Sequence, residues 1–206
     1  MKIGILAVQG AFAEHEQMLE QLGAEYIELR KGEDVRQSYD GLILPGGEST
    51  VQGKLMRELD MFDTIQSQIK NGMPVLATCA GAILLAQQLS NDAATHLATL
   101  PAVVRRNAYG RQLGSFSVDE QIEGIGTFPM RFIRAPYIEK VLDDTKVLAK
   151  VDGNIVMVEN KNQLAMSFHP ELTSDTRIHE MFLKKNLAKE CQKINKKSRH
   201  IFLFLV

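Results

Sequence analysis

Short apolar runs and amphipathic stretches alternate along most of the chain. Ile3–Val8 is a compact aliphatic run closed by Gln9-Gly10, the pattern of a buried strand. Ala13–Leu22 places Met18, Leu19 and Leu22 on one helical face and stops before Gly23. Tyr26–Leu29 and Gly41–Leu44 read as short strands, the second ended by Pro45-Gly46-Gly47. Val51–Ile69 has helical spacing with an interruption near Asp60, and Asn71-Gly72 closes it. Val75–Thr78 is the next strand, and Gly81–Leu89 reads as the helix after it. This alternation predicts an α/β fold with a mostly parallel central sheet and helices on both faces.

The middle of the chain changes character. Val103–Arg106, Ser115–Val118 and Met130–Ile133 are strand-like and separated by turns containing Gly and Pro. Val147–Val151 and Ile155–Glu159 flank Asp152-Gly153-Asn154, a hairpin signal. Leu164–Phe168 is one more strand, leading into His169-Pro170-Glu171, and Thr176–Leu187 is the last predicted helix, with Ser174 or Asp175 able to cap it. No internal repeat is visible. The end departs from this pattern. Lys193–Arg199 is strongly basic and Ile201–Val206 wholly apolar, which reads as a structural or incidental tail, too short to span a bilayer.

Bulk properties narrow the picture. With 206 residues, 45% hydrophobic and 24% charged, the chain suits one domain with a full core. A net charge of −1 gives no electrostatic pointer to nucleic acid. Cys79 and Cys191 lie far apart in dissimilar contexts, which argues against a disulfide framework and for a reducing compartment. The first strand lacks the long apolar core of a signal peptide, and no run reaches the ~18 apolar residues of a membrane span. The expected location is the cytoplasm, with no membrane and no nucleic-acid partner.

Candidate chemistry gathers at strand ends, where open α/β sheets bind their ligands. Cys79 sits between a predicted strand and a predicted helix, where backbone N–H groups and the helix dipole favour negative charge on sulfur. Alone, it reads better as a buried structural cysteine. His169 and Glu171 follow another strand; alone, they read as a satisfied histidine and a solvated acid. Gly46-Gly47-Glu48-Ser49 follows a third, and alone is a plain turn. If these strands are parallel neighbours, all three loops share one face. His169 then serves as base to the Cys79 thiol, Glu171 orients the imidazole, and the N–H groups of Gly47 and Ala80 form an oxyanion hole.

These residues resemble a known family. Cys79-Ala80-Gly81 together with His169-Pro170-Glu171 matches the class I, triad-type glutamine amidotransferases. Gly46-Gly47-Glu48-Ser49-Thr50, Arg106-Asn107-Ala108-Tyr109-Gly110-Arg111-Gln112, Phe132-Ile133-Arg134-Ala135-Pro136 and Val8-Gln9-Gly10-Ala11-Phe12 with Glu14-His15 are similar to the glutaminase subunits of pyridoxal 5'-phosphate synthase. The resemblance covers about residues 1–189, and implies a single three-layer, flavodoxin-like domain there, followed by a tail (190–206) without counterpart.

It implies that Cys79, His169 and Glu171 hydrolyse L-glutamine to glutamate and ammonia through a glutamyl thioester. Gly46, Gly47, Glu48, Ser49, Arg106, Ile133 and Arg134 match substrate-binding positions, an arginine suiting the glutamine carboxylate. Gln9 and Gly10 match a segment at the interface with a (β/α)8-barrel synthase subunit, within a large hetero-oligomer that takes up the ammonia. No cofactor and no metal is implied. Two departures stand out: Ala77 where the class often has glycine, and Ala82 where many relatives carry a larger aliphatic residue. Three alternatives are a glutaminase of another pathway, a non-catalytic subunit of the same fold, and a redox-sensing thiol. The vitamin B6-branch segments argue against the first, the complete triad against the second, and His169-Pro170-Glu171 would have no purpose in the third.

Overall fold

A computed structural model describes residues 1–108 and 114–185. The elements of the first half are β1 (Lys2–Leu6), α1 (Phe12–Gln21), β2 (Glu25–Leu29), β3 (Gly41–Leu44), α2 (Ser49–Glu58), α3 (Phe62–Lys70), β4 (Val75–Thr78), α4 (Ala80–Leu85) and β5 (Ala86–Leu89). Then follow β6 (Leu100–Arg105), β7 (Ser115–Ile122), β8 (Gly126–Ile133), β9 (Tyr137–Val141), β10 (Lys146–Val151), β11 (Asn154–Asn160) and β12 (Gln163–Met166). A 3-10 turn at Pro170–Leu172 and a helix α5 at 177–185 complete the described chain.

One sheet runs in the order β2-β1-β3-β4-β12-β11-β9-β6-β5, with β10 paired to β11. From β2 to β12 every pairing is parallel. Beyond β12 the pairings to β11, β9 and β6 are antiparallel. Strands of the parallel part are covered on both faces, and their near-continuous apolar sequences follow from that. The pleat divides them: Leu6, Leu42, Leu44, Val75 and Ala77 enter the core beneath α2, α3 and α4. Ile3, Ile5, Ile43 and Leu76 enter the opposite core, with Leu19 of α1 and Ile178 and Phe182 of α5. The β7–β8 hairpin is a separate two-stranded sheet whose Phe128, Met130 and Phe132 join that second core.

The structure corrects the sequence reading at one helix. The expected helix Gly81–Leu89 ends at Leu85, and Ala86 turns to extended backbone at φ −56°, ψ 133°. Ala86–Leu89 is instead β5, paired parallel to β6. Every residue of α4 is buried, so no polar face marked where helix gave way to strand. The interruption foreseen near Asp60 separates α2 from α3, with Asp60 at φ 55°. Strand β9 had no sequence signal: Glu139 and Lys140 are exposed and break its apolar run. The β7 and β8 strands are longer than expected. The final helix was expected to Leu187, and the residues beyond 185, with Cys191 and the tail, lie outside the described ones. So do Tyr109, Gly110, Arg111 and Gln112. Among the described residues, no helix is long and apolar enough to cross a membrane.

Candidate active site

The parallel half brings the three marked loops to one place. β4 lies between β3 and β12, with Ala77 beside Leu44 and Thr78 beside Met166. Cys79 follows at φ 48°, ψ −101°, a conformation that costs about 1–3 kcal/mol and persists only where its surroundings impose it. Two contacts impose it. The Cys79 N–H donates to Met166 O at 2.8 Å. The first turn of α4 also presses on β3 so closely that a Cβ at Gly81 would lie 2.1 Å from Leu44 O. The sequence strand, strained residue, helix is the backbone geometry of a nucleophile elbow.

His169 leaves the end of β12, its N–H donating to Arg131 O at 2.8 Å. The 3-10 turn then bends the chain so that Glu171 comes back beneath the ring, its Oε1 2.7 Å from His169 Nδ1. Both side chains are buried. Burial alone would lower the His169 pKa; hydrogen bonds to the Cys79 sulfur and the Glu171 carboxylate outweigh it and raise it to about 10. Burial likewise pushes the Glu171 carboxyl up, but the His15 and His169 imidazoles hold it below its ordinary range. The imidazole also sits hard against the β3 loop. A Cβ on Gly46 would be 2.2 Å from His169 Cε1.

That loop is fastened from two sides. Gly46 N–H donates to Thr78 Oγ1 at 3.0 Å, and Glu48 N–H donates to Gln9 Oε1 at 2.8 Å. Ala11 N–H donates to Gly46 O at 3.0 Å. Gly10, at φ 104°, approaches so closely that a Cβ would stand 1.9 Å from Gly46 O. Gln52 of α2 is buried and donates to the carbonyls of Gln9 and Pro45. The segment after β1 and the loop after β3 therefore form one unit.

A cavity of about 420 Å³ opens over these residues, with Cys79 and His169 on its floor. The Gln9–Gly10 segment and Gly46–Ser49 form one wall, and Arg106, Ile133 and Arg134 the other. Ile133 O lies 4.0 Å from Cys79 Sγ. The two arginines differ. Arg106 is engaged by Asp92 at 2.6 Å and Thr50 Oγ1 at 3.0 Å, and Asn91 clasps its backbone. Arg134 is exposed, at φ 42°, and among the described residues its side chain pairs with Glu48, at 3.7 Å. Of the expected site residues, Glu171 and Ala80 do not line the cavity. Glu171 sits behind His169, and Ala80, the residue after Cys79, is buried at the start of α4.

Thr78, Gln52, His15 and His179 had no role in the sequence reading. Thr78 and His15 belong to segments already marked there, whereas Gln52 and His179 carry no local signal. Ala77, the departure next to the elbow, packs into the core under α2–α4 and leaves the turn undisturbed.

A family model described as the SNO glutamine amidotransferase family matches residues 5–188. The chain belongs to the SNO glutamine amidotransferase family. It is 63% identical over 183 residues to the pyridoxal 5'-phosphate synthase subunit PdxT of Desulfitobacterium hafniense, covering 89% of this chain and 92% of that protein. The PdxT protein of Streptococcus pneumoniae is 52% identical over 193 residues, covering 92% of this chain and 99% of that protein. A crystal structure of a glutamine amidotransferase superposes with a TM-score of 0.85 at 43% identity, over 89% of this chain and 98% of that one. A putative GMP synthase component from Thermoplasma acidophilum shares the fold, with a TM-score of 0.67 at 20% identity and coverage of 94% and 98%. The family match spans the elbow, the histidine turn and the glycine loop alike.

Proposed function

We propose that this chain is the glutaminase subunit of a pyridoxal 5'-phosphate synthase and that Cys79, His169 and Glu171 are its catalytic triad. The observation that carries the assignment is the His169 ring, with the Glu171 carboxylate 2.7 Å from Nδ1, lining one open cavity together with Cys79. The Cys79 thiolate attacks the side-chain amide carbon of L-glutamine. The carbonyl oxygen becomes an oxyanion, received by the N–H groups of Gly47 and Ala80. Support for Gly47 comes from its neighbours: the Gly46 and Glu48 N–H groups are taken by Thr78 and Gln9, and Gly47 lies between them on the cavity wall. The His169 imidazolium gives its proton to the leaving nitrogen, and ammonia departs from a glutamyl thioester. The neutral imidazole then takes a proton from water, which attacks the thioester and releases glutamate.

Gly46–Ser49, Arg106, Ile133 and Arg134 form the glutamine-binding walls. Arg106, held by Asp92 and Thr50, shapes the pocket, and the exposed Arg134 guanidinium meets the glutamine carboxylate. The 63% identity to a named synthase subunit supports delivery of the ammonia to a (β/α)8-barrel partner in a hetero-oligomer. Gln9 and Gly10 are the contact segment, since a shift of either displaces the loop around Gly47. The unit spans residues 1–189 and works in the cytoplasm, where a free Cys79 is stable. Glutamate release measured with and without the matching synthase, for wild type and Cys79→Ala, tests this. Activity raised by the synthase and abolished by the substitution is expected; unchanged hydrolysis by Cys79→Ala sinks the mechanism.

A further inference from the structure

Behind the triad lies a second polar layer that the reaction above does not use. His15 of α1 and His179 of α5 are both fully buried. His15 Nδ1 is 2.9 Å from His179 Nε2. His15 Nε2 is 3.3 Å from Thr78 Oγ1 and 3.5 Å from Glu171 Oε2. Glu171 Oε2 has no hydrogen-bond partner among the described residues, and neither has His179 Nδ1. Nor is any group of three or more His, Cys, Asp or Glu among them arranged to hold a metal ion. The cluster is therefore a hydrogen-bond chain, and its proton positions follow from counting donors.

Thr78 is the hub. Its hydroxyl accepts the Gly46 N–H at 3.0 Å and points its own proton at Glu171 Oε1, 3.5 Å away, since an ionised carboxylate only accepts. One lone pair remains, and it faces His15 Nε2. That nitrogen must be a donor. His15 Nδ1 is then a bare acceptor and receives its bond from His179 Nε2–H. His179 Nδ1 is in turn left unprotonated, which is the atom found without a partner. The opposite assignment leaves a buried N–H unbonded at the same place and turns a lone pair of His15 toward a carboxylate. Burial supports two uncharged rings: it lowers His15, and it lowers His179 to about 3, with His15 adding to the effect. The charged groups facing the pair are Glu171 and His169 from the turn after β12, and Glu14 on α1 itself.

We propose that His15, backed by His179, is a positioning residue for Glu171: its Nε2–H, bonded to Thr78 Oγ1, presents its positive end 3.5 Å from the carboxylate oxygen turned away from His169, in a tautomer fixed by His179. The inference rests on the triad reading. Thr78 links this layer to the Gly46 loop, so the same anchor keeps the carboxylate and the glycine loop in register.

The test uses the full chain assayed with its synthase. His15→Leu is expected to lower kcat about tenfold or more while KM for glutamine stays within about twofold. The alkaline limb of its pH–rate profile moves to lower pH, because a misplaced Glu171 no longer sustains the His169 cation. His15→Gln, whose amide reaches the Nε2 position, restores kcat to within about threefold of wild type. Nitrogen NMR of histidine-labelled wild type, which needs no variant to fold, is expected to find Nε2 protonated and Nδ1 bare on both His15 and His179. Cys79→Ala separates the two readings. Normal kinetics in His15→Leu beside an inert Cys79→Ala overturns the positioning role alone, and so does a bare Nε2 on His15. An active Cys79→Ala overturns the triad and this inference with it.

Discussion

The floor and the rim of the cavity are built by different rules. On the floor, Cys79, His169, Glu171 and Thr78 are buried and joined by short contacts to three strands of the parallel sheet. On the rim, Glu48 and Arg134 are exposed and meet across 3.7 Å, a surface ion pair that contributes about 0–1 kcal/mol. Ile133 and Leu172, also at the mouth, leave large apolar side chains partly in solvent. The parallel strands arrive with their ends aligned, so a residue one step beyond a strand has little freedom. Arg106, Ile133 and Arg134 at the rim come instead from the ends of β6 and β8, which belong to the antiparallel part and the separate hairpin. The residues proposed for reactivity are held by the fold, whereas much of the recognition surface is exposed.

The comparison predicts a steep gradient of mutational effect from floor to rim. Cys79→Ala should abolish glutamate release, a loss of about 10³-fold or more in kcat, measured by coupled glutamate assay. Gly46→Ala comes next. Its methyl cannot share space with His169 Cε1, so the ring is displaced, and a misplacement of about 1 Å costs about 10²-fold in rate. Near-normal activity in Gly46→Ala would show that the floor is softer than its packing implies. Thr78→Val should follow: it orphans the buried Gly46 N–H, costing about 1–3 kcal/mol, or several degrees in melting temperature by calorimetry. At the rim, Arg134→Ala should leave stability within about 0.5 kcal/mol and raise KM for glutamine several-fold. Equal losses of kcat in Arg134→Ala and Gly46→Ala would erase the distinction.

pH gives an independent probe of the floor. The folded-state pKa of His169, about 10, lies above its ordinary value of 6.5. The protonated ring therefore adds stability that is fully present below 6.5 and disappears as pH rises through about 10. Glu171 is lowered instead, so its contribution is present above its ordinary 4.5 and lost as pH falls. Urea unfolding of wild type should weaken between these alkaline limits more than that of His169→Asn. Parallel curves for the two would show that the imidazolium is not held as described.

The parallel half was legible in the sequence because burial on both faces writes continuous aliphatic runs, and Gly41–Leu44 and Val75–Thr78 match the observed strands residue for residue. The elbow was legible because such a run passes through a cysteine into small residues, Ala80-Gly81-Ala82. The helix after it was misjudged at its far end, since α4 and the start of β5 are alike in being apolar, and only pairing with β6 separates them. Strand β9 was hidden for the complementary reason: it is half exposed, and its identity comes from the partners β6 and β11. Within the site, residues adjoining strand ends were readable. His179 was not, because its role arises from meeting His15 across 164 positions of chain, and nothing local distinguishes it from a core histidine.

The insertion of β12 between β4 and β11 has a consequence for synthesis on the ribosome. Cys79 directly follows β4, yet the neighbour of β4 on one side is residues 163–166, made much later. Until that stretch and the turn after it emerge, the growing chain lacks both the Met166 carbonyl that fixes the Cys79 backbone and His169, the proposed base. Under the proposed mechanism, products that end before this stretch are born without the means to hydrolyse glutamine.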